Sequence, residues 1–279
     1  MRRRLGTMLF AAALVLAPAR SAVAHPGEDA RLKQLAARVE AAPDDVDLRV
    51  RIADELLRAG HPGDALVQAR RIAKIDPDAV EADRIRAEAF VARGRDEAGL
   101  EAYDQYLERA PAGPQKGKAF AARARIHRRA DRLEASRADF DAALEHAVTP
   151  ALVLERGALD EARDRLDEAA LGYRDGLDRL GPAVTLQLAL ARVELRRGQA
   201  RLALEVIDQL LSERPGHSDW VLLRAEALDQ LDQPVAALFH RVAAFALAHR
   251  ALARRDITLR REALARAELA LGHPQEPPR

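Results

Sequence analysis

Residues 150–183 have the sequence PALVLERGALDEARDRLDEAALGYRDGLDRLGPA and form one complete unit of a pattern that recurs along the chain. Positions 157 and 169 of this unit carry small residues, and small residues recur at the matching positions of its neighbours. One series consists of Ala53, Ala87, Ala124, Gly157, Ala191 and Ala225, and the other of Ala65, Gly99, Ser136, Ala169, Ala203 and Ala237. The steps are mostly 34 residues, with a 37 followed by a 33 in the middle of each series. A fixed period of this length predicts a stacked array of helical hairpins.

The hydrophobic pattern predicts helices along nearly the whole chain. Apolar residues recur at i, i+3 and i+4 spacing between charged residues, and no stretch alternates with the period of two that is typical of a strand. Two helices approach closely only where small side chains meet, which accounts for the two series. Larger residues beside them are expected to pack against the next unit, each contributing ~1.5–3 kcal/mol on full burial. These larger residues include Tyr103, Tyr106, Phe140, Tyr173, Ile207 and Leu210. The predicted fold is an all-α, right-handed α–α superhelix, a solenoid.

Prolines set the limits of the predicted units. Pro43, Pro77 and Pro111 are each 34 residues apart, and the extra residues around 111–114 account for the irregular step. The helix-turn-helix units together cover residues 46–251. Their predicted limits are about 46–79, 80–113, 117–149, 150–183, 184–217 and 218–251.

The ends of the array need caps, because a terminal unit would otherwise expose its apolar face. We expect a leading capping helix within residues 25–45 and a final capping helix within residues 252–272. Prolines are frequent in residues 273–279, which predicts a disordered tail.

Residues 1–24 are predicted to be a cleaved secretory signal peptide. Residues 2–4 are arginines, residues 5–16 are mostly apolar, and residues 22–24 have the small-x-small sequence Ala-Val-Ala. The apolar part is shorter than the ~20 residues that span a bilayer. We expect cleavage after Ala24 and a periplasmic or secreted location for the mature protein.

Composition limits the function. Without residues 1–24 the chain has 41 Lys+Arg against 44 Asp+Glu, a formal net charge of −3 with both signs interspersed, which disfavours nucleic acid and anionic membranes as partners. The chain has no cysteine, which excludes disulfides and thiol chemistry. It has no Gly-rich phosphate loop, no G-x-S-x-G and no H-E-x-x-H, and its histidines show no i, i+4 pairing. We therefore expect no catalytic residues, no cofactor and no metal.

Three local motifs resemble the tetratricopeptide repeat family. They are Arg156-Gly157 in a first helix, the sequence DFDAAL at residues 139–144 in a second helix, and Ile75-Asp76-Pro77 as a terminator. The resemblance covers residues 46–251. The family's early tryptophan is missing from most units, and Trp220 lies near its place. The resemblance implies a concave groove, lined mainly by first helices, that binds extended or helical peptides.

Carried over to this sequence, the resemblance places a set of residues toward the groove. The candidate partner-binding residues are Arg84, Glu88, Lys118, Arg125, Arg128, Arg129, Leu154, Leu188, Arg192 and Arg196. The ligands of chaperone-binding members are not expected here. Those members hold their ligand through a carboxylate clamp that needs asparagine, and this chain contains none.

The middle of the array is strongly basic. A cluster of one histidine and five arginines consists of Arg123, Arg125, His127, Arg128, Arg129 and Arg132. Arginine forks match carboxylates, so one interpretation is a surface that binds an acidic segment or a C-terminal carboxylate. The other is a solvated face whose arginines pair with Glu134, Asp139 and Asp141.

The sequence thus predicts a non-catalytic interaction scaffold that binds a segment of another protein. Two alternatives stay open. One is a structural envelope protein that self-associates through its terminal helices, and the other is an accessory subunit of an enzyme encoded elsewhere.

Overall fold

The computed structural model describes residues 26–250, and most of them lie in helices joined by short turns. The helices are α1 (Pro26–Ala41), α2 (Val46–Arg58), α3 (Pro62–Ile75), α4 (Glu81–Ala92), α5 (Asp96–Arg109), α6 (Pro114–Arg129), α7 (Leu133–His146), α8 (Pro150–Ala162), α9 (Leu166–Leu180), α10 (Val184–Arg196), α11 (Ala200–Glu213) and α12 (Ser218–Gln230). A further helix, α13, begins at residue 234 and is described as far as residue 250. No strand occurs within residues 26–250, and the predicted all-α helical repeat is confirmed.

Within the same residues, no helix has the length and apolar character needed to cross a bilayer. The predicted signal peptide at 1–24, the final capping helix at 252–272 and the tail at 273–279 lie outside the described residues.

Local sequence accounts for where several helices begin. The Asp45 side chain accepts a hydrogen bond from the Leu48 amide at 3.0 Å, and the Thr149 hydroxyl accepts one from the Leu152 amide at 3.2 Å. Each satisfies an amide in the first turn that has no partner within its helix. The helices α3, α6 and α8 have proline in their first turn, where its missing N–H costs nothing.

The helices form two compact units, one ending at Tyr106 and the other beginning at Leu107. The core of the first unit includes Leu35, Val39, Leu48, Ile52, Leu66, Ile72 and Ile85. The core of the second unit includes Phe140, Leu152, Val153, Tyr173, Leu186, Leu190, Val193 and Ile207. In each hairpin the first helix has an even number, from α2 to α12, and the second helix has the odd number that follows.

The two series of small residues mark the helix crossings. All twelve are buried, from Ala53 to Ala225 on first helices and from Ala65 to Ala237 on second helices. Between α6 and α7 the Ser136 hydroxyl donates a hydrogen bond to the Ala124 carbonyl at 2.9 Å, which joins a member of one series to a member of the other. The sequence prediction that these residues allow close approach is therefore confirmed in both units.

The turn inside each hairpin contains one residue in the left-handed backbone conformation. The residues with positive φ at this position are Gly60, Gly94, Asp131, Asp164, Gly198 and Asp232. Their spacing follows the same 34-residue period with the 37 and 33 in the middle. Glycine adopts this left-handed conformation without strain, and aspartate tolerates it better than most other residues.

Candidate functional site

Three first helices of the second unit form one continuous row, because α8 contacts α10 and α10 contacts α12. Leucine occupies the same position on each of the three, at Leu154, Leu188 and Leu222, with steps of 34 residues. We call these residues the leucine stripe. Leu154 and Leu188 are half-buried, whereas Leu222 is 53% exposed.

One turn further along the same helices, the equivalent positions are Ala158, Arg192 and Glu226, and all three are exposed. Arg192 forms no ion pair with any residue that the structure describes. The small side chain at position 158 leaves the surface beside the stripe open. We call the leucine stripe together with Ala158, Arg192 and Glu226 the first-helix face. It combines exposed apolar surface with an arginine that has no ion-pair partner within residues 26–250.

The predicted arginine cluster has a different environment. Arg125 donates two hydrogen bonds to the Glu155 carboxylate, at 2.8 Å from Nε and 2.7 Å from Nη2, and so ties α6 to α8. Arg128 lies 3.9 Å from the same carboxylate. The hydrogen bonds from Arg125, with the charges of both arginines, hold the pKa of Glu155 below its usual range. Arg129 also interacts within the protein. Lys118 is exposed on the same helix.

The acidic partners that the sequence suggested for this cluster are only partly the observed ones. The Asp139 carboxylate does accept two hydrogen bonds from Arg123, at 2.9 Å from Nε and 2.6 Å from Nη2. Glu134 instead pairs with Arg163 and with Arg165 of the following hairpin. The arginines therefore connect neighbouring helices and repeats.

Arg196 has a similar connecting role. Its guanidinium donates to the Glu161 carboxylate at 2.7 Å, and the Tyr173 hydroxyl donates to the other oxygen of that carboxylate at 2.7 Å. Glu161 thus joins α8, α9 and α10. Burial and this hydrogen bond raise the pKa of the Tyr173 hydroxyl above its ordinary value.

In the first unit, Arg84 and Glu88 form part of a closed ion-pair group. Arg84 is 6% exposed, and its donors lie 2.9 Å from Asp54, 3.0 Å from Glu81 and 3.1 Å from Glu88. Burial raises the pKa of the Glu88 carboxyl, although the Arg84 charge opposes the shift. With three carboxylates around it, Arg84 stabilises the contact of α4 with α2.

A cavity of about 470 Å³ lies between α7, α8 and α9 of the second unit. Arg156 crosses it, donating to Asp141 at 3.0 Å and to Asp160 at 2.5 Å. A Cβ at Gly172 would lie 2.9 Å from the Arg156 guanidinium, so the glycine provides the space for this side chain. Leu171 at the rim is 63% exposed. No sequence pattern had indicated this cavity.

The last described helix carries an exposed apolar stripe, which we call the α13 stripe. It consists of Val235 at 83% exposure, Leu238 at 59%, Phe239 at 70%, Val242 at 61% and Phe245 at 74%. Ala237 and Ala244 are buried and face the other way. A helix that is apolar on both faces normally has a partner on each. Within the described residues, no three His, Asp or Glu side chains are grouped as metal ligands.

The repeat geometry agrees with the comparison with known families. The model of the tetratricopeptide repeat matches residues 50–114 and 188–246, which include helices of both units. These two matches identify tetratricopeptide repeats in the chain. Members of this family bind other proteins or peptides, and the fold generally serves as a non-catalytic scaffold.

Solved structures share the fold at low sequence identity. The C-terminal part of a repeat-containing protein from Cytophaga hutchinsonii is 12% identical with a TM-score of 0.61, and the match covers 72% of this chain and 80% of that chain. PilF of Pseudomonas aeruginosa is 15% identical with a TM-score of 0.52, covering 70% of this chain and 88% of that chain. A chain of the APC/C hetero-tetramer Cut9–Hcn1 is 13% identical with a TM-score of 0.48, covering 80% of this chain and 43% of that chain, so this tetratricopeptide repeat chain spans less than half of it. A comparison with functionally curated proteins finds no match.

Proposed function

We propose that this tetratricopeptide repeat protein is an exported, non-catalytic scaffold that binds a segment of another protein along the first-helix face of its second unit. The observation that carries the proposal is the leucine stripe beside Arg192. Other predicted binding arginines of the second unit, such as Arg125 and Arg196, already bond to carboxylates of neighbouring helices. Arg192 is exposed and forms no such pair within residues 26–250.

The chemistry of this face indicates what the partner segment presents. Apolar side chains of the partner would cover Leu188 and Leu222, since removing apolar surface from water stabilises the complex. A carboxylate of the partner opposite Arg192 would complete a charge-assisted hydrogen bond. Glu226 lies on α12 at the position equivalent to Arg192 on α10. It favours a basic group of the partner next to the carboxylate that Arg192 would bind. An interface of this kind is expected to bury on the order of 1,000–1,600 Å².

The proposed location is the periplasm of a bacterium with an outer membrane, or the exterior. This part of the proposal rests on the sequence of residues 1–24, which has the basic, apolar and small-residue regions of a secretory signal.

The proposal is tested by two matched double variants of the chain without residues 1–24. In one, Leu188→Asp and Leu222→Asp change the leucine stripe. In the other, Leu171→Asp and Leu202→Asp change leucines of second helices that are 63% and 37% exposed. After capture from cross-linked native envelopes, we expect the dominant partner to be lost by the first variant and kept by the second. Equal recovery by both would exclude the first-helix face. Circular dichroism checks that each variant is folded.

A further inference from the structure

A basic cleft lies in the first unit, between α1 and α2, and has a volume of about 260 Å³. Four arginines line it, Arg31 and Arg38 from α1 and Arg51 and Arg58 from α2. In each helix the two arginines are seven residues apart and therefore lie on one face. Residue Leu35, which is 9% exposed, also lines the cleft and gives it an apolar surface.

Two of these arginines are held in place by a buried carboxylate. The Glu55 side chain is 4% exposed and lies 3.3 Å from Arg31 Nε. The same carboxylate pairs with Arg58. A buried carboxylate with two arginine partners is well satisfied, so both guanidinium groups have defined positions.

The other two arginines have no counter-ion among the residues that the structure describes. Neither Arg38 nor Arg51 forms a hydrogen bond or ion pair with another residue that the structure describes. The remaining acid of the cleft, Asp54, lies 2.9 Å from Arg84 of α4. Guanidinium groups that line one cleft repel each other, and because Asp54 is already paired with Arg84, an anion in the cleft would be stabilised by both Arg38 and Arg51.

We propose that this cleft binds a carboxylate from an acidic segment of a partner protein. A cavity of about 260 Å³ matches one carboxylate-bearing side chain, whose methylene groups would lie on Leu35. Arginine forks at Arg38 and Arg51 would bond to its two oxygens. The site is an open groove between two helices and not a flat basic face, which favours a peptide over a membrane surface. It lies in a different unit from the leucine stripe and does not depend on that surface.

The test measures binding of a fluorescein-labelled hexaglutamate peptide by fluorescence anisotropy at low salt. The protein is the chain without residues 1–24, and the test variant carries Arg38→Gln and Arg51→Gln. The matched control carries Arg70→Gln and Arg71→Gln, which remove the same charge from exposed positions of α3. We expect the test variant to bind at least about tenfold more weakly, as loss of a bidentate charge-assisted contact predicts, and the control to bind within about twofold of the parent.

Three results would overturn the proposal. The first is no detectable binding by the parent chain, and the second is equal weakening in both variants, which would show a general charge effect. The third comes from a parallel arm with inorganic phosphate and with vesicles containing phosphatidylglycerol. Arginine-dependent binding to either of these without binding of the peptide would assign the cleft to phosphate groups.

Discussion

The ring of Tyr173 lies directly on the backbone of Gly157, so that a Cβ at position 157 would overlap the ring and lie 2.6 Å from the phenol oxygen. Tyr173 is 1% exposed, and its hydroxyl donates to Glu161 at 2.7 Å. The tyrosine is therefore fixed on both sides and cannot move away freely. This contact determines how closely α8 and α9 approach each other.

Gly157→Ala is accordingly expected to destabilise the protein by ~1–3 kcal/mol through overpacking. Alanine favours a helix over glycine by ~1 kcal/mol, so a net loss would demonstrate the steric effect. Urea unfolding followed by circular dichroism measures the change. Gly63→Ala in α3 is the control, because a Cβ there meets nothing within 4 Å, and it should be neutral or stabilising. Equal stability of the two variants would refute the packing argument.

The left-handed turn residues make a separate prediction about backbone strain. Gly94 has φ of 70°, and a Cβ at this position would meet nothing within 4 Å, so alanine there introduces strain without a clash. We expect Gly94→Ala to cost ~1–2 kcal/mol in the free energy of unfolding. The same substitution at Gly63, where φ is not positive, lacks this cost. A Gly94→Ala protein as stable as its Gly63→Ala counterpart would show that the turn relaxes.

The pair of Arg125 and Glu155 predicts a dependence of stability on pH. The pKa of Glu155 is lowered in the folded protein, so its contribution is fully present above the unfolded pKa and is lost as the pH falls through the folded pKa. Glu155→Gln should therefore reduce the free energy of unfolding by ~0.2–1 kcal/mol at neutral pH. The difference from the parent should disappear in strong acid. Urea unfolding at a series of pH values measures it, and a difference that is constant with pH would contradict this explanation.

The helix crossings could be predicted from the sequence, because close approach of two helices requires small residues at positions fixed by the period. The turns were only partly predictable. Glycine is typical of a turn, as at Gly60 and Gly94, whereas Asp131 and Asp164 hold the same left-handed position without being glycine. These aspartates lie 33 residues apart and follow the same period as the turn glycines. That regularity is visible in the sequence, but it lies outside the two series of small residues.

The ion pairs could not be predicted in the same way. Charge is visible in the sequence, but the partner of an arginine lies on a neighbouring helix, often about one repeat away. Arg125 reaches Glu155 and Arg163 reaches Glu134, at separations of 30 and 29 residues. Several nearby acids compete for each arginine, and only the packing of the helices decides between them. The cleft between α1 and α2 was missed for the same reason.

The α13 stripe predicts a role for the residues that follow it. We expect residues 252–272 to cover the stripe, because they continue directly from α13 and place Ile257, Leu264 and Leu271 seven residues apart. A chain ending at residue 251 should then bind more of a dye specific for exposed apolar surface and should self-associate in analytical ultracentrifugation. Phe239→Lys with Phe245→Lys should return this shortened chain to a monomer.

The opposite pattern would identify the stripe as a self-association surface. In that case the longer chain is already a dimer, and removing residues 252–279 leaves its oligomeric state unchanged.

The most direct test of the proposed scaffold function is site-specific photo-crosslinking in cells that express the chain. A benzophenone amino acid replaces Leu222 on the first-helix face or, as the matched control, Leu171 on a second helix, where exposure is 53% and 63% respectively. The proposal predicts one dominant adduct from position 222, identified by mass spectrometry, and none of that partner from position 171. The same adduct from position 171 alone, or equally from both positions, would contradict binding along the first helices.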